Sequence, residues 1–216
     1  MPLSVLIVAN VIAALASLSQ AVTGFGFALV LVPLLSFFLE PKLVVLISLS
    51  LGLACKVPLL LRCWREIHLQ QMALISVAAM AGAVAGTRIL LTADPNAMRV
   101  VIGIVVILLS IPMLFEIVHP VRRERLASGI VGVVSGVING ATSMGGPPVV
   151  LFGVNQSWPK ERFRANLLGY FTVINTWTLA VLLISGDLGL EAVSWDARMV
   201  EIGEIVRAAL QRTKDE

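Results

Sequence analysis

The chain is written in long uncharged stretches separated by short charged ones. Uncharged runs cover residues 1–39, 43–55 (continuing past Lys56 to 61), 67–87, 100–115, 126–159 and 165–186. A membrane-spanning helix needs about 20 mostly apolar residues, with a range of roughly 17–25. The stretches 43–61, 67–91, 97–118 and 165–185 each fit one such helix. The runs 1–39 and 126–159 are too long for one helix, and each is broken near its middle. The first break reads Gln20-Ala21-Val22-Thr23-Gly24-Phe25-Gly26. The second reads Asn139-Gly140-Ala141-Thr142-Ser143-Met144-Gly145-Gly146-Pro147-Pro148. Glycine costs a helix about 1 kcal/mol and proline about 3, yet proline is welcome in a first turn. Each long run is therefore expected to be two helical pieces around a polar, glycine-rich turn.

The two breaks resemble each other. At an offset of 120, Ala21 meets Ala141, Gly26 meets Gly146, Val30 meets Val150 and Leu31 meets Leu151, while Thr23 meets Ser143. The order of elements also matches: a long broken run, a charged junction, then a single helix. The expected fold is all-α and polytopic, with two related repeats that each open on a broken helix or hairpin. The division is residues 1–118 for repeat 1, 119–125 for a basic cytoplasmic loop, 126–186 for an incomplete repeat 2, and 187–216 for a charged amphipathic tail.

Loop cations choose between two topologies. If each broken run crosses once, six cations fall on either side of the membrane. If each is a hairpin returning to its own side, Lys42, Arg88 and Arg99 face one side, and nine face the other, from Lys56 to Arg164. The positive-inside rule favours the uneven arrangement and makes the nine-cation side cytoplasmic. The second repeat is then inverted relative to the first, a plan that places a transporter's substrate site at the broken helices. Trp64 and Trp158 suit an interfacial belt on the cytoplasmic side, and Trp177 suits helix packing.

Composition agrees. Hydrophobic residues make up 58% of the 216 and charged residues 13%, against about 25% charged in a soluble domain. Mean hydropathy is +0.95. Nine of the 29 charges sit in residues 196–216. This excludes a secreted disulfide scaffold, a disordered chain and most soluble enzymes. The net charge of +3 is scattered in short clusters, which is no nucleic-acid signature. Cys55 and Cys63 lack a CxxC spacing or a histidine partner and read as apolar filler. The uncharged N-terminal run is far longer than a signal peptide's core and is read as part of the mature protein.

A helix that begins inside a membrane aims free N–H groups and about half a positive charge at its start. Such an end can hold an anion without a buried cation. Gly24, Gly26, Gly145 and Gly146 would let the backbone approach a ligand. Gln20, Thr23, Asn139, Thr142 and Ser143 could donate from side chains, and Pro147 would open the second half-helix. Helix packing is the alternative for small residues, and it is the preferred reading for Gly82, Gly86 and Gly132. The match of Gly82 and Gly86 to GxxxG is weak as a dimer signal. Lys56 is the one cation well inside an apolar run. It is either functional or long enough to snorkel to the cytoplasmic surface. His68 and His119 lie at helix ends, and no Asp or Glu is central. There is no GxSxG, no HExxH and no central aspartate pair, so no catalytic residue, metal or cofactor is expected.

Residues 19–27, 135–148 and the stretch Arg162-Phe163-Arg164-Ala165-Asn166 together resemble the sulfite exporter TauE/SafE family, over residues 3–186. The resemblance implies a multi-pass protein of the bacterial inner membrane that moves small anions such as sulfite, sulfonates or other organosulfur anions. Its partners would be the anionic substrate and the bilayer, with a homo-oligomer as an alternative to a monomer. Family members usually continue with two more spanning helices. Here residues 187–196 lead instead into an amphipathic stretch too charged to span. A truncated gene or a divergent short member would give this pattern. The alternative function is accordingly a truncated, non-transporting membrane protein, either a remnant or an interaction partner of a full-length transporter.

Overall fold

The computed structural model describes residues 3–114, 124–156 and 158–185. The expectations for the loop 119–123, His119 and the tail 187–216 lie outside the described residues. Within them the chain is all-α. Its helices are α1 (Leu3–Thr23), α2 (Phe27–Leu35), α3 (Pro41–Cys63), α4 (Leu69–Thr92), α5 (Pro95–Leu114), α6 (Glu124–Thr142), α7 (Gly146–Asn155) and α8 (Lys160–Ile184), with a 3-10 turn at Trp64–Glu66. Segments Pro41–Glu66, Met72–Thr92 and Lys160–Ile184 are long and apolar enough to cross a membrane, and α1 and α5 hold shorter apolar stretches. Large apolar side chains such as Leu15, Leu18, Ile104, Ile107 and Ile130 lie exposed, as expected where the surrounding solvent is lipid.

Both long runs fold as helix, three-residue break and short helix. α2 turns back along α1, so Ile12 and Ala16 share a buried cluster with Phe27, Leu31, Val32 and Leu35. α7 turns back towards α6 in the same way, and the Ser135 hydroxyl donates to the Gly145 carbonyl. The starts of α2 and α7 lie 119 residues apart, as do those of α3 and α8 and the ends of α1 and α6. These boundaries are spaced by 119, one residue off the register in which the identities were counted. Thr23 stands opposite Thr142, and Gly26 opposite Gly145.

The ends of the bundle sort the basic residues. At one end Val45, Leu49, Leu90, Met98 and Leu182 form a cluster, and Arg99 Nε donates to the Ser36 carbonyl at 3.0 Å. At the other, Met72, Phe152 and Leu167 pack with Ile67, Trp158 and Phe163, and the His68 N–H donates to Asn166 Oδ1 at 2.9 Å. Lys42, Arg88 and Arg99 belong to the first end. Arg62, Arg65, Arg125, Lys160, Arg162 and Arg164 belong to the second. The hairpin reading divides these residues in the same way; a single crossing per broken run would have placed Lys160 with Lys42.

α6 is held against α4 by small residues. A Cβ on Gly136 or Gly140 would run into the carbonyl of Ala79 or Ala83, and one on Gly82 or Gly86 into that of Val133 or Val137. Two backbones this close maximise dispersion where lipid removes the hydrophobic drive between helices. The GxxxG match is thus used within the chain. Trp177 also packs, with Nε1 donating to the Met80 carbonyl at 3.0 Å. Trp158 lies edge-on to Phe152 and Phe163, with ring centroids 5.9 and 6.4 Å away.

Candidate functional site

The two breaks reverse the chain by different means. Gly24 and Gly26 have φ of 81° and 99°, left-handed values that a side chain resists. α2 then starts with no side-chain cap. Its first three amides, on Phe27, Ala28 and Leu29, have no intrahelical acceptor; the first helical bond runs from Val30 N–H to the Gly26 carbonyl at 3.2 Å. At the second break only Ser143 is left-handed, with φ of 62°. Its hydroxyl pairs with that of Ser48 at 3.1 Å. α7 also lacks a side-chain cap, but Pro147 and Pro148 follow Gly146 directly. Proline has no N–H, so only the Gly146 amide is left of the first three.

The breaks meet. Between them is a cavity of about 20 Å³, lined by Gln20, Phe25 and Gly26 from the first, Ser143 and Gly146 from the second, and Lys56 and Phe171 from α3 and α8. That is room for about one water molecule. Gln20 is 1% exposed, and neither its Oε1 nor its Nε2 has a hydrogen-bond partner.

Lys56 is 6% exposed. It does not snorkel. Its Nζ lies 5.3 Å from the centre of the Phe171 ring and 3.2 Å from where a Cβ on Gly52 would stand. Among the described residues no carboxylate lines the cavity. An ammonium buried without a counter-charge is costly, and the ring contact offsets only part of that cost, on the order of 2 kcal/mol when desolvated. Sequence reasoning flagged Lys56 but left its direction open, and it did not single out Phe25 or Phe171. The detectable signal was a mid-run cation, without its surroundings.

Behind the second break most polar groups pair with one another, with Asn139 Oδ1 left unpartnered. Ser135 pairs with the Tyr170 hydroxyl at 2.7 Å. Asn139 Nδ2 donates to Asn175 Oδ1 at 3.3 Å and to Thr178 Oγ1 at 3.2 Å. Thr142 donates to the Ile138 carbonyl at 2.7 Å and accepts from the Met144 N–H at 3.3 Å. Of the residues expected at the site, Gln20, Gly26, Ser143 and Gly146 line the cavity. Asn139, Thr142 and Gly145 lie behind it. Gly145 has φ of −65°, so it is not there for a left-handed turn. A Cβ on it would stand 2.5 Å from the Ser135 carbonyl oxygen, so its role is close packing on α6. Pro147 is buried in the first turn of α7. The side chain of Thr23 lies outside the described residues. Gly24 faces Arg164, whose Cγ would be 3.2 Å from an added Cβ and whose Nη2 donates to the Ala21 carbonyl at 3.0 Å.

Arg164 also lines an open vestibule of about 340 Å³ at the Arg-rich end of the bundle, with Leu59, Arg62, Cys63, Glu66 and Glu161. Lys56, Leu59 and Cys63 follow one another along one face of α3. The first break therefore separates a charge-lined mouth from the buried cavity.

Neither the curated proteins nor the solved structures compared with the chain match it. The family model for the sulfite exporter TauE/SafE matches residues 9–206 and so continues past the point where the motif resemblance stops. Polytopic and α-helical, with two broken helices meeting at its centre, the chain belongs to the sulfite exporter TauE/SafE family.

Proposed function

We propose that this member of a transporter family carries small anions, sulfite or a sulfonate, outward across the bacterial inner membrane by way of the two breaks. One observation supports this most: the half-helices α2 and α7 begin at a single cavity that is also lined by a buried lysine and an unpartnered glutamine. Irregular backbone at membrane depth is tolerated where it lines a pathway, and helix starts favour anions. The Arg-rich end carrying the vestibule faces the cytoplasm in this reading, following the positive-inside rule.

Efflux from liposomes containing the purified chain tests the activity. Sulfite release faster than from protein-free liposomes is the expected result; release at the protein-free rate would favour the non-transporting alternative. Single-cysteine labelling tests orientation. Positions 125 and 162 should both resist an impermeant reagent added outside intact cells, and position 42 should react. Labelling of 125 without 162, or the reverse, would contradict the hairpin arrangement.

A further inference from the structure

The second break carries the louder motif, yet the groups free to bind are at the first. Lys56 and Gln20 are both more than nine-tenths buried and both line the cavity; neither polar atom of Gln20 has a hydrogen-bond partner, and no carboxylate among the described residues lines the cavity beside Lys56. Phe27, Ala28 and Leu29, whose amides open α2, line the same space. α7 brings a single amide to this space, because its next two residues are prolines. Burying a primary amide and an ammonium unsatisfied is among the costlier things a fold can do. Apolar residues of similar size would pack there at less cost, so the two polar groups point to a ligand that completes them.

We propose that the anion is held at the first break. The Lys56 ammonium supplies its counter-charge, and Gln20 with the free amides of α2 supplies its hydrogen bonds. The substrate is a compact oxyanion bound with a single negative charge. This rests on the transport reading and adds the position and valence of the bound ion. The valence follows from the lining. Among the described residues Lys56 is the only charged side chain lining the cavity, so one negative charge leaves the centre neutral, whereas a second would be buried uncompensated. The compactness follows from the walls, where Phe25, Phe27 and Phe171 enclose a space of about 20 Å³ that must widen even for a small ion.

Calorimetry on the purified full chain tests this, with sulfite and sulfate as probes in mildly acidic buffer, where sulfite is mostly the monovalent hydrogensulfite. Wild type should bind sulfite and discriminate against divalent sulfate. Lys56→Met should weaken sulfite binding about 10- to 160-fold, the range for losing a charged hydrogen-bond partner, and Lys56→Arg should retain it. Gln20→Leu should weaken it about 2- to 13-fold. Without anion, the melting temperatures of Lys56→Met and Gln20→Leu should be unchanged or raised, which residues kept only for structure would not show. If Lys56→Met binds and releases sulfite like wild type, the centre is not at Lys56, and the transport reading stands. If sulfate binds as tightly as sulfite, the single-charge assignment is overturned. If wild type neither binds nor moves sulfite, the transport reading fails and this inference falls with it.

Discussion

At the first break the chain reverses on two left-handed glycines, Gly24 and Gly26; at the second it reverses on one left-handed serine, Ser143. The neighbourhoods differ more than the turns. Around the second break Ser135 pairs with Tyr170, and Asn139 Nδ2 donates to Asn175 and Thr178; Thr142 donates to the Ile138 carbonyl, Asn139 Oδ1 is left without a partner, and two prolines remove amides from the helix that follows. Around the first, both polar atoms of Gln20 lack a partner, Lys56 has only the Phe171 ring beside it, and three amides open α2. One break has spent most of its polar groups on holding α6, α7 and α8 together, and the other keeps its unpartnered groups at the cavity. A dense polar motif is therefore weak evidence of where a ligand sits. The count that matters is of donors left over after the protein has satisfied itself.

Substitutions can break or sharpen this contrast. The largest effect is expected at Gly145. Its Cβ alone would stand 2.5 Å from the Ser135 carbonyl oxygen and 2.7 Å from Asn139 Cβ, and overpacking costs about 1–3 kcal/mol or more. Gly145→Leu should thus lose most of its folded, detergent-stable protein on size-exclusion chromatography. A Cβ on its neighbour Gly146 would stand 3.3 and 3.6 Å from ring atoms of Phe171 and Phe25, which can give way. Gly146→Leu should fold and fill the cavity, abolishing efflux per folded molecule. If the two leucine variants behave alike, the division into frame and cavity is wrong.

Next comes Gly26→Ala. A left-handed alanine costs roughly 1–2 kcal/mol, and thermal unfolding in detergent should register that loss. Tyr170→Phe should cost about 0.5–1.5 kcal/mol, the net value of one hydrogen bond, and leave anion affinity unchanged, because Tyr170 belongs to the frame. The smallest effect is expected at Thr142→Val. This hydroxyl donates to a carbonyl on its own helix and does not line the cavity, so sulfite affinity should stay within about 2-fold, below the usual value of a ligand hydrogen bond. A tenfold loss at Thr142 would return the second break to the binding site.

Much of the architecture was legible in the residues themselves, because it rests on local rules. Runs of apolar residues of membrane length become helices wherever they are placed, and glycine and proline interrupt them by their own backbone limits. The hairpins were legible through the count of loop cations, and the packing role of Gly82, Gly86 and Gly132 through their size. Other features depended on neighbours far along the chain. Gly145 and Gly146 are adjacent and alike in sequence, yet one backs onto α6 and the other onto the cavity, because successive residues at a helix start point in different directions. The 119-residue spacing emerged only from the helix ends, since within the glycine-rich segments the register one residue away gives more identities. The direction of Lys56 was decided last of all. Its long side chain could reach water or stay inside, and the answer depended on α1 ending beside α3, Gly52 leaving room for Nζ, and Phe171 of α8 presenting its ring. Phe171 lies 115 positions from Lys56 in the chain, so only the assembled bundle could bring its ring to this lysine.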